Sequence, residues 1–423
     1  MSMLAVGVDL GTSGVRSAVI DGDGAVVSMA TADYGTTPES RSDPDCWWQA
    51  VCRCLTSQIA TLRDAGHTPD AIKGIAVDGT SGSLLLTDAG LRPVTRALMY
   101  HDGGFDDEAA RIALHAPDPH ITRGSNSALA RALRLIAEDN DGQAAHLLHQ
   151  ADFIVARLRG GGAVSDVNNA LKTGCDPVNG TWPDWMTELI PQAILPKLVL
   201  PGEETGSISF AVASDLGLPA HTVLHAGTTD SIAAFLAATS LTPGAAVTSI
   251  GTTLAIKLYS QKRIDAPEMG LYAHRLGGGW LVGGASNTGG GVLKAFFNDD
   301  ELVALSKRIE PNQKSGFDYY PLLEAGERFP INDPALQPRL TPRPKDDVAF
   351  LHGIFEGIAR IEAKGYGLLA ERGCPFPKVI FTSGGGSKNT VLTQIRSLHI
   401  GVEIKPALQT EACIGTARLA MNG

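Results

Sequence analysis

The sequence predicts an α/β protein of two lobes with a central cleft, and three observations carry that prediction. The 423 residues exceed what one hydrophobic core usually supports. Short apolar strands alternate with glycine-rich turns and with helices of 3.6-residue periodicity. One device, an apolar strand running into a Gly-Thr hairpin, opens the chain and returns after its middle, as expected if the second half repeats the plan of the first.

In chain order, residues 4–9 form an apolar run ending in Asp9, and Gly11-Thr12-Ser13-Gly14 turns it into Val15–Ile20. Asp21-Gly22-Asp23-Gly24 then leads into Ala25–Met29, which completes a strand meander. Asp43-Pro44-Asp45 supplies a cap, a helix-compatible proline and an acidic first turn. Trp47, Trp48, Val51, Leu55, Ile59 and Leu62 follow at helical spacing, a helix of about five turns. Ile72–Asp78 is again a strand ending in an acid, followed by Gly79-Thr80-Ser81-Gly82 and a further apolar run, Ser83–Leu86, so the opening pattern recurs.

The third copy lacks the acid: Ala245–Ile250 runs into Gly251-Thr252-Thr253 and out through Leu254–Leu258. One lobe would thus keep a metal-side carboxylate and the other only a phosphate loop. Arg308–Gly316 and Pro330–Pro344 read as surface loops, Val348–Gly373 as one long helix, and 411–420 as a helix returning to the first lobe. The expected division is 1–237 with 411–423 as one lobe, and 238–410 as the other.

Composition excludes several classes. Lys plus Arg number 35 against 45 Asp plus Glu, so 35 − 45 = −10, with no basic stripe to track nucleic acid. No apolar run approaches the roughly 20 residues that span a bilayer. The first residues carry no basic region before their apolar stretch. Six cysteines show neither Cys-x-x-Cys spacing nor a companion His pair. Reduced thiols and a cytoplasmic location are therefore expected.

A strand stopping at Asp9 before a Gly-Thr-Ser-Gly turn offers N–H groups and hydroxyls to phosphate and a carboxylate to magnesium. Alone, the motif fits an ordinary hairpin; its return at Gly251 favours phosphate binding. The glycines open no Walker A loop, and they precede a strand rather than the helix of a dinucleotide fingerprint. Asp230, at the entry to Ile232–Leu236, suits either a helix N-cap or a general base for a hydroxyl attacking phosphorus. Gly283–Gly291 and Ser383–Asn389 each precede a helix, either as flexible turns or as places where a nucleotide lies close to backbone.

Asp9-x-Gly11-Thr12-Ser13-Gly14, Gly227-Thr228-Thr229-Asp230, Ser249-Ile250-Gly251-Thr252-Thr253 and Ser383-Gly384-Gly385-Gly386-Ser387-x-Asn389 resemble, in order and spacing, the FGGY carbohydrate kinases over nearly the whole chain. Asp78–Gly82, Ser165–Lys172 and Ala226–Phe235 look most like the short D-ribulose kinase and xylulose kinase-like branch. The resemblance implies two ribonuclease-H-like lobes of the actin-like ATPase fold. The first lobe would bind the sugar and the second ATP, with Mg²⁺ beside Asp9.

It further implies Asp230 as catalytic base, with Thr12 and Ser13 near the transferred phosphoryl group. Gly251, Thr252 and Thr253 would touch the nucleotide phosphates, and Gly290, Lys294, Gly385 and Asn389 the adenosine. Ser81, Arg16, Ser13, Gly14 and Asp230 are the expected sugar-side residues. The partners implied are a small sugar and ATP, on a monomer or homodimer, with D-ribulose the first acceptor and D-xylulose or another polyol the alternative. Where many larger members carry Trp-Asn-Asp-x-Arg, this chain has Tyr100-His101-Asp102-Gly103-Gly104, which lines the pocket or forms an exposed loop. A nucleotide-driven switch of the actin or chaperone kind is the non-enzyme rival; the Asp230 base and the sugar-side serine argue against it.

Overall fold

A computed structural model describes residues 3–422 and divides the chain into two units, Met1–Ala237 with Glu411–Gly423, and Ala238–Thr410. In the first unit, β1 (Leu4–Leu10), β2 (Gly14–Asp21) and β3 (Val26–Asp33) form the expected meander. The helix α1 (Pro44–Asp64) follows, with Asp43 accepting the Asp45 N–H at 2.9 Å, a cap contributing about 1 kcal/mol.

Next come β4 (Ile72–Gly79), β5 (Leu84–Thr87), α2 (Asp106–His115), α3 (Ala128–Glu138), β6 (His146–His149) and α4 (Gln150–Arg159). The unit continues through β7 (Val164–Asp166), α5 (Val167–Thr173), α6 (Asp184–Thr187), β8 (Lys197–Val199), β9 (Glu204–Ser207), α7 (Phe210–Leu216), β10 (Val223–His225) and α8 (Asp230–Ala238).

The main sheet runs β3-β2-β1-β4-β10-β9. β4 lies parallel to both β1 and β10, so both its edges are taken. The chain after Gly79–Gly82 therefore leaves the sheet, and β5 pairs with β6 instead. The recurrence of the opening hairpin at Asp78 stops at the turn for that reason.

Alternation along β1 separates its two faces. Val6, Val8 and Leu10 join Trp47, Val51 and Leu55 of α1 in the core. The opposite face carries Gly7, where a Cβ would lie 1.9 Å from the Cys413 carbonyl oxygen, and on β4 Gly74, 2.5 Å from the Ala420 oxygen. Two glycines thus let the last helix lie directly on the strands.

The second unit contains β11 (Ala246–Ile250), β12 (Leu254–Ser260), β13 (Tyr272–Leu276), β14 (Gly279–Ser286), α9 (Gly290–Phe296) and α10 (Asp299–Ser306). The long helix α11 (Asp347–Glu371), β15 (Val379–Ser383), α12 (Thr390–Ile400) and β16 (Glu403–Pro406) complete it. Helix α13 (Ala412–Asn422) belongs to the first unit.

The second sheet runs β13-β14-β12-β11-β15-β16. Three antiparallel strands followed by two parallel ones, β14-β12-β11-β15-β16, repeat the plan of β3-β2-β1-β4-β10. The Gly283–Gly291 run departs from expectation: Gly283–Ser286 continue β14 along β12, Gly283 pairing with β13 as well, and only the residues after Ser286 form the turn. These positions are small because a Cβ on Gly284 would meet the Phe329 ring at 2.6 Å.

Candidate functional site

In the first unit the two strands that end in acids lie side by side. Asp9 pairs with Asp78 across parallel β1 and β4, so both carboxyls leave the same face. Asp9 is 5% exposed and Asp78 fully buried. Burial raises the Asp9 pKa, and the charges of Asp230 and Glu411 add to it against the pull of Asp78 and Arg16. Burial and the Asp9 charge push Asp78 well above the usual carboxylate range. The Thr416 hydroxyl, from α13, is hydrogen-bonded to Asp78 Oδ2.

Asp230 stands in the first turn of α8, its Oδ1 accepting the Ser231 N–H at 2.6 Å. Its field reaches both Asp9 and Asp78, so residues far apart in sequence meet at the ends of β1 and β4. Arg16 of β2 lies 3.9 Å from Asp9 and 3.6 Å from Glu411. It is more than half exposed, and such pairs contribute about 1 kcal/mol or less.

Thr12 and Ser13 are exposed at the tip of the β1–β2 turn, which Gly11 and Gly14 close with an N–H···O bond of 3.0 Å. Ser81 Oγ, in the turn after Asp78, is buried without a hydrogen-bond partner among the described residues. Thr80, by contrast, is saturated by Ser83 and Gln150, and the Gln150 amide reaches the Tyr34 hydroxyl. Tyr34 in turn donates to the Gly11 carbonyl, tying the two acid-bearing turns together.

The second unit holds a cavity of about 530 Å³, within the range of small-molecule sites. Gly251, Thr252, Gly290, Lys294, Gly385 and Asn389 all line it. Thr253 does not; it lies inside the hairpin, its carbonyl accepting the Gly251 N–H at 3.0 Å. Leu293, Leu302, Val303 and Leu392 supply an apolar wall, with Lys388 and Asp299 at the polar side.

The glycine runs here serve close approach rather than flexibility. A Cβ on Gly290 would lie 2.5 Å from the Gly251 oxygen, and one on Gly384 2.5 Å from the Ile250 oxygen. The Gly290 and Gly291 N–H groups are spent on the carbonyls of Gly251 and Thr252, at 2.9 Å each, docking α9 against the loop. Asn389 caps α12 through Oδ1 and donates to Ser306 Oγ at 2.7 Å, so its amide braces the wall it lines.

Residues 4–121 match the N-terminal domain of the FGGY family of carbohydrate kinases, and residues 246–422 match its C-terminal domain. The chain belongs to this family. It is a sugar kinase, a phosphotransferase with an alcohol acceptor, and ATP is the donor for kinases of this family.

This FGGY kinase is 24% identical to the xylulose kinase of Escherichia coli (strain K12), over 98% of this chain and 89% of that protein. To the gluconokinase of Bacillus subtilis (strain 168) it is 23% identical, over 79% of this chain and 70% of that one. The solved xylulose kinase from Rhodospirillum rubrum shares the actin-like ATPase fold, with a TM-score of 0.84 at 22% identity, covering 98% and 89% of the two chains. No helix among the described residues is long and apolar enough to cross a membrane. All six cysteines are free thiols.

Three contributors escaped the sequence reading of the kinase's site. Asp78 carried a legible signal, an acid ending a strand before Gly-Thr-Ser-Gly, but its pairing with Asp9 is a matter of strand order. Glu411 and Thr416 carry no local signal; α13 brings them from the end of the chain.

Proposed function

We propose that the acceptor is a ketopentose and that Asp230 is the general base. The observation that supports this most is the meeting of Asp230 with the Asp9–Asp78 pair beside the unpartnered Ser81 hydroxyl. In this reading Asp230 takes the proton of a terminal sugar hydroxyl, whose oxygen forms the new bond to the γ-phosphorus while the bond to the β–γ bridging oxygen breaks and ADP leaves. Ser81, Arg16, Ser13 and Gly14 hold the sugar, with Thr12 and Ser13 near the transferred group. Gly251, Thr252, Gly290, Lys294, Gly385 and Asn389 hold ATP, and Thr253 shapes the Gly251 hairpin from behind the cavity wall.

Asp9 is the carboxylate that fits Mg²⁺. Among the described residues no three His, Cys, Asp or Glu side chains form a metal cage. A kinase magnesium needs none, since one or two carboxylates and the substrate's phosphates hold it. When bound, the ion neutralises charge on the β- and γ-phosphates. Asp9 is the less buried of the two carboxyls and the one that also faces Arg16, which suits it better than Asp78 to a cation.

D-ribulose is the first choice of acceptor, and D-xylulose, named for relatives that align over nearly the whole chain, is the alternative. A coupled assay of ATP turnover against D-ribulose, D-xylulose, D-gluconate and glycerol decides it. The proposal expects kcat/KM for a ketopentose to exceed the others by about tenfold or more; a preference for gluconate or glycerol refutes it.

A further inference from the structure

Arg131 of α3 is 3% exposed and forms no close ion pair among the described residues, although the Asp102 charge acts on it. Its guanidinium donates to three backbone carbonyls instead: Nε to Gly82 at 3.0 Å, and Nη1 to Asp102 at 2.7 Å and Asn126 at 3.0 Å. Burial lowers its pKa to about 10. Placing a cation in such surroundings costs several kcal/mol that backbone dipoles only partly return, so a merely structural site would be served as well by an apolar side chain.

The three carbonyls belong to segments that flank the candidate sugar side. Gly82 closes the turn that follows Asp78 and carries Ser81. Asp102 lies in Tyr100–Gly104, the segment standing where larger family members have an arginine. Asn126 precedes α3, and its Oδ1 accepts the Gly104 N–H at 3.0 Å. A Cβ on Gly103 would lie 1.9 Å from Asn126 Oδ1 and would displace that amide from its bond to Gly104. A second tie runs from the Tyr100 N–H to Ser83 Oγ at 3.0 Å. With that segment anchored, Tyr100 and His101 stand together at the surface, edge to face at 5.0 Å.

We infer that Arg131 is a positioning residue that sets the shape of the acceptor pocket by clamping the Ser81 turn to the Tyr100–Gly104 segment. It acts through these backbone groups, supplying from α3 the basic side chain that the segment itself lacks. The inference rests on the acceptor lying beside Asp9, Asp78 and Ser81. A guanidinium reaches three carbonyls in one plane; a lysine, with one nitrogen, cannot.

The test compares Arg131→Lys and Arg131→Met with the wild type. In Arg131→Met the acceptor KM should rise about tenfold or more, and the efficiency ratio of the preferred ketopentose over glycerol should fall by a similar factor. KM for ATP should stay within about twofold, because the nucleotide cavity shares no contact with Arg131. Arg131→Lys should fall between. An unchanged acceptor ratio, or a parallel loss in both KM values, overturns the inference.

Should Arg131→Met not fold, Ser83→Ala, which removes the second tie, should shift the same ratio in the same direction, and no shift counts against the clamp. Hydrogen exchange gives a readout independent of turnover. The Tyr100, Asp102 and Gly104 amides should exchange about tenfold faster in Arg131→Lys, and unaltered exchange refutes the clamp. If the wild type phosphorylates no ketopentose, the acceptor proposal alone fails, and the ratio is read with whichever polyol it does phosphorylate.

Discussion

The two units place different chemistry at matching points of one sheet plan. At the end of β1 and β4 the paired residues are Asp9 and Asp78; at the end of β11 and β15 they are Ser249 and Ser383. Each pair precedes a glycine, Gly11 or Gly79 in one case and Gly251 or Gly384 in the other. A shared frame thus carries buried acids in the unit where acceptor and cation are proposed, and small neutral hydroxyls in the unit where ATP is proposed. Carboxylates beside a triphosphate would repel it; serines beside an acceptor hydroxyl would leave it protonated.

The ionic economy beneath the pairs differs as well. In the second unit Thr248, one residue before Ser249, donates to Glu362 Oε1 at 2.5 Å, and Glu362 is held by Arg396 at 2.6 Å, both fully buried. Arg396 also donates to Thr382 Oγ1 at 3.0 Å, so one ion pair braces both strands that feed the glycine loops. In the first unit the corresponding contact is neutral, the Thr416 hydroxyl of α13 bonding Asp78.

The largest expected effect tests the acid side of this comparison. Asp230→Ala should lower kcat by about 10²–10⁴ while leaving ATP affinity intact, as read by steady-state kinetics and calorimetry; near-normal turnover removes Asp230 as the base. Breaking the ion pair tests the neutral side. Arg396→Met, which strands the Glu362 charge, should cost about 3–5 kcal/mol in urea unfolding, and the double variant Glu362→Leu/Arg396→Met should recover part of it. Additive losses would show that the two do not act as a pair.

Moving an acid into the neutral unit sharpens the contrast. Ser249→Asp should raise KM for ATP by about tenfold with little change in the acceptor KM, and an unaltered ATP KM would mean that the serine pair has no bearing on the nucleotide.

The smallest effect concerns pH. Burial and Asp152 raise Asp166, which caps α5, from an ordinary value of 3.8 to about 7. Between those values the folded chain retains a proton that the unfolded chain has released, so this contribution to stability falls as pH rises from about 4 to about 7 and is level above. Asp78 acts in the same direction. Asp166→Asn should therefore flatten part of the decline in Tm across that window; an identical slope would exclude Asp166 as a source.

Much of the frame was legible because it is written in local signals. Asp43-Pro44-Asp45 starts α1, the acid-glycine and glycine-threonine steps end β1 and β11, and the run after Phe381 ends β15. Where such signals misled, a neighbouring strand decided. Gly283–Ser286 has loop composition but pairs with β12 throughout, Gly283 also with β13. The Asp78 turn looks like the first hairpin but cannot close one beside β10.

The order of motifs along the chain determined the family, the two-fold plan and the glycine loops, because each depends on residues close in sequence. Only the tertiary structure decided that Asp78 would be buried beside Asp9 with its pKa raised, that Glu411 and Thr416 would join them, and that Arg131 would bridge two segments. Those properties arise from burial and from distances across strands and helices. Coulomb and desolvation energies depend on separation in space, which residue order alone does not specify.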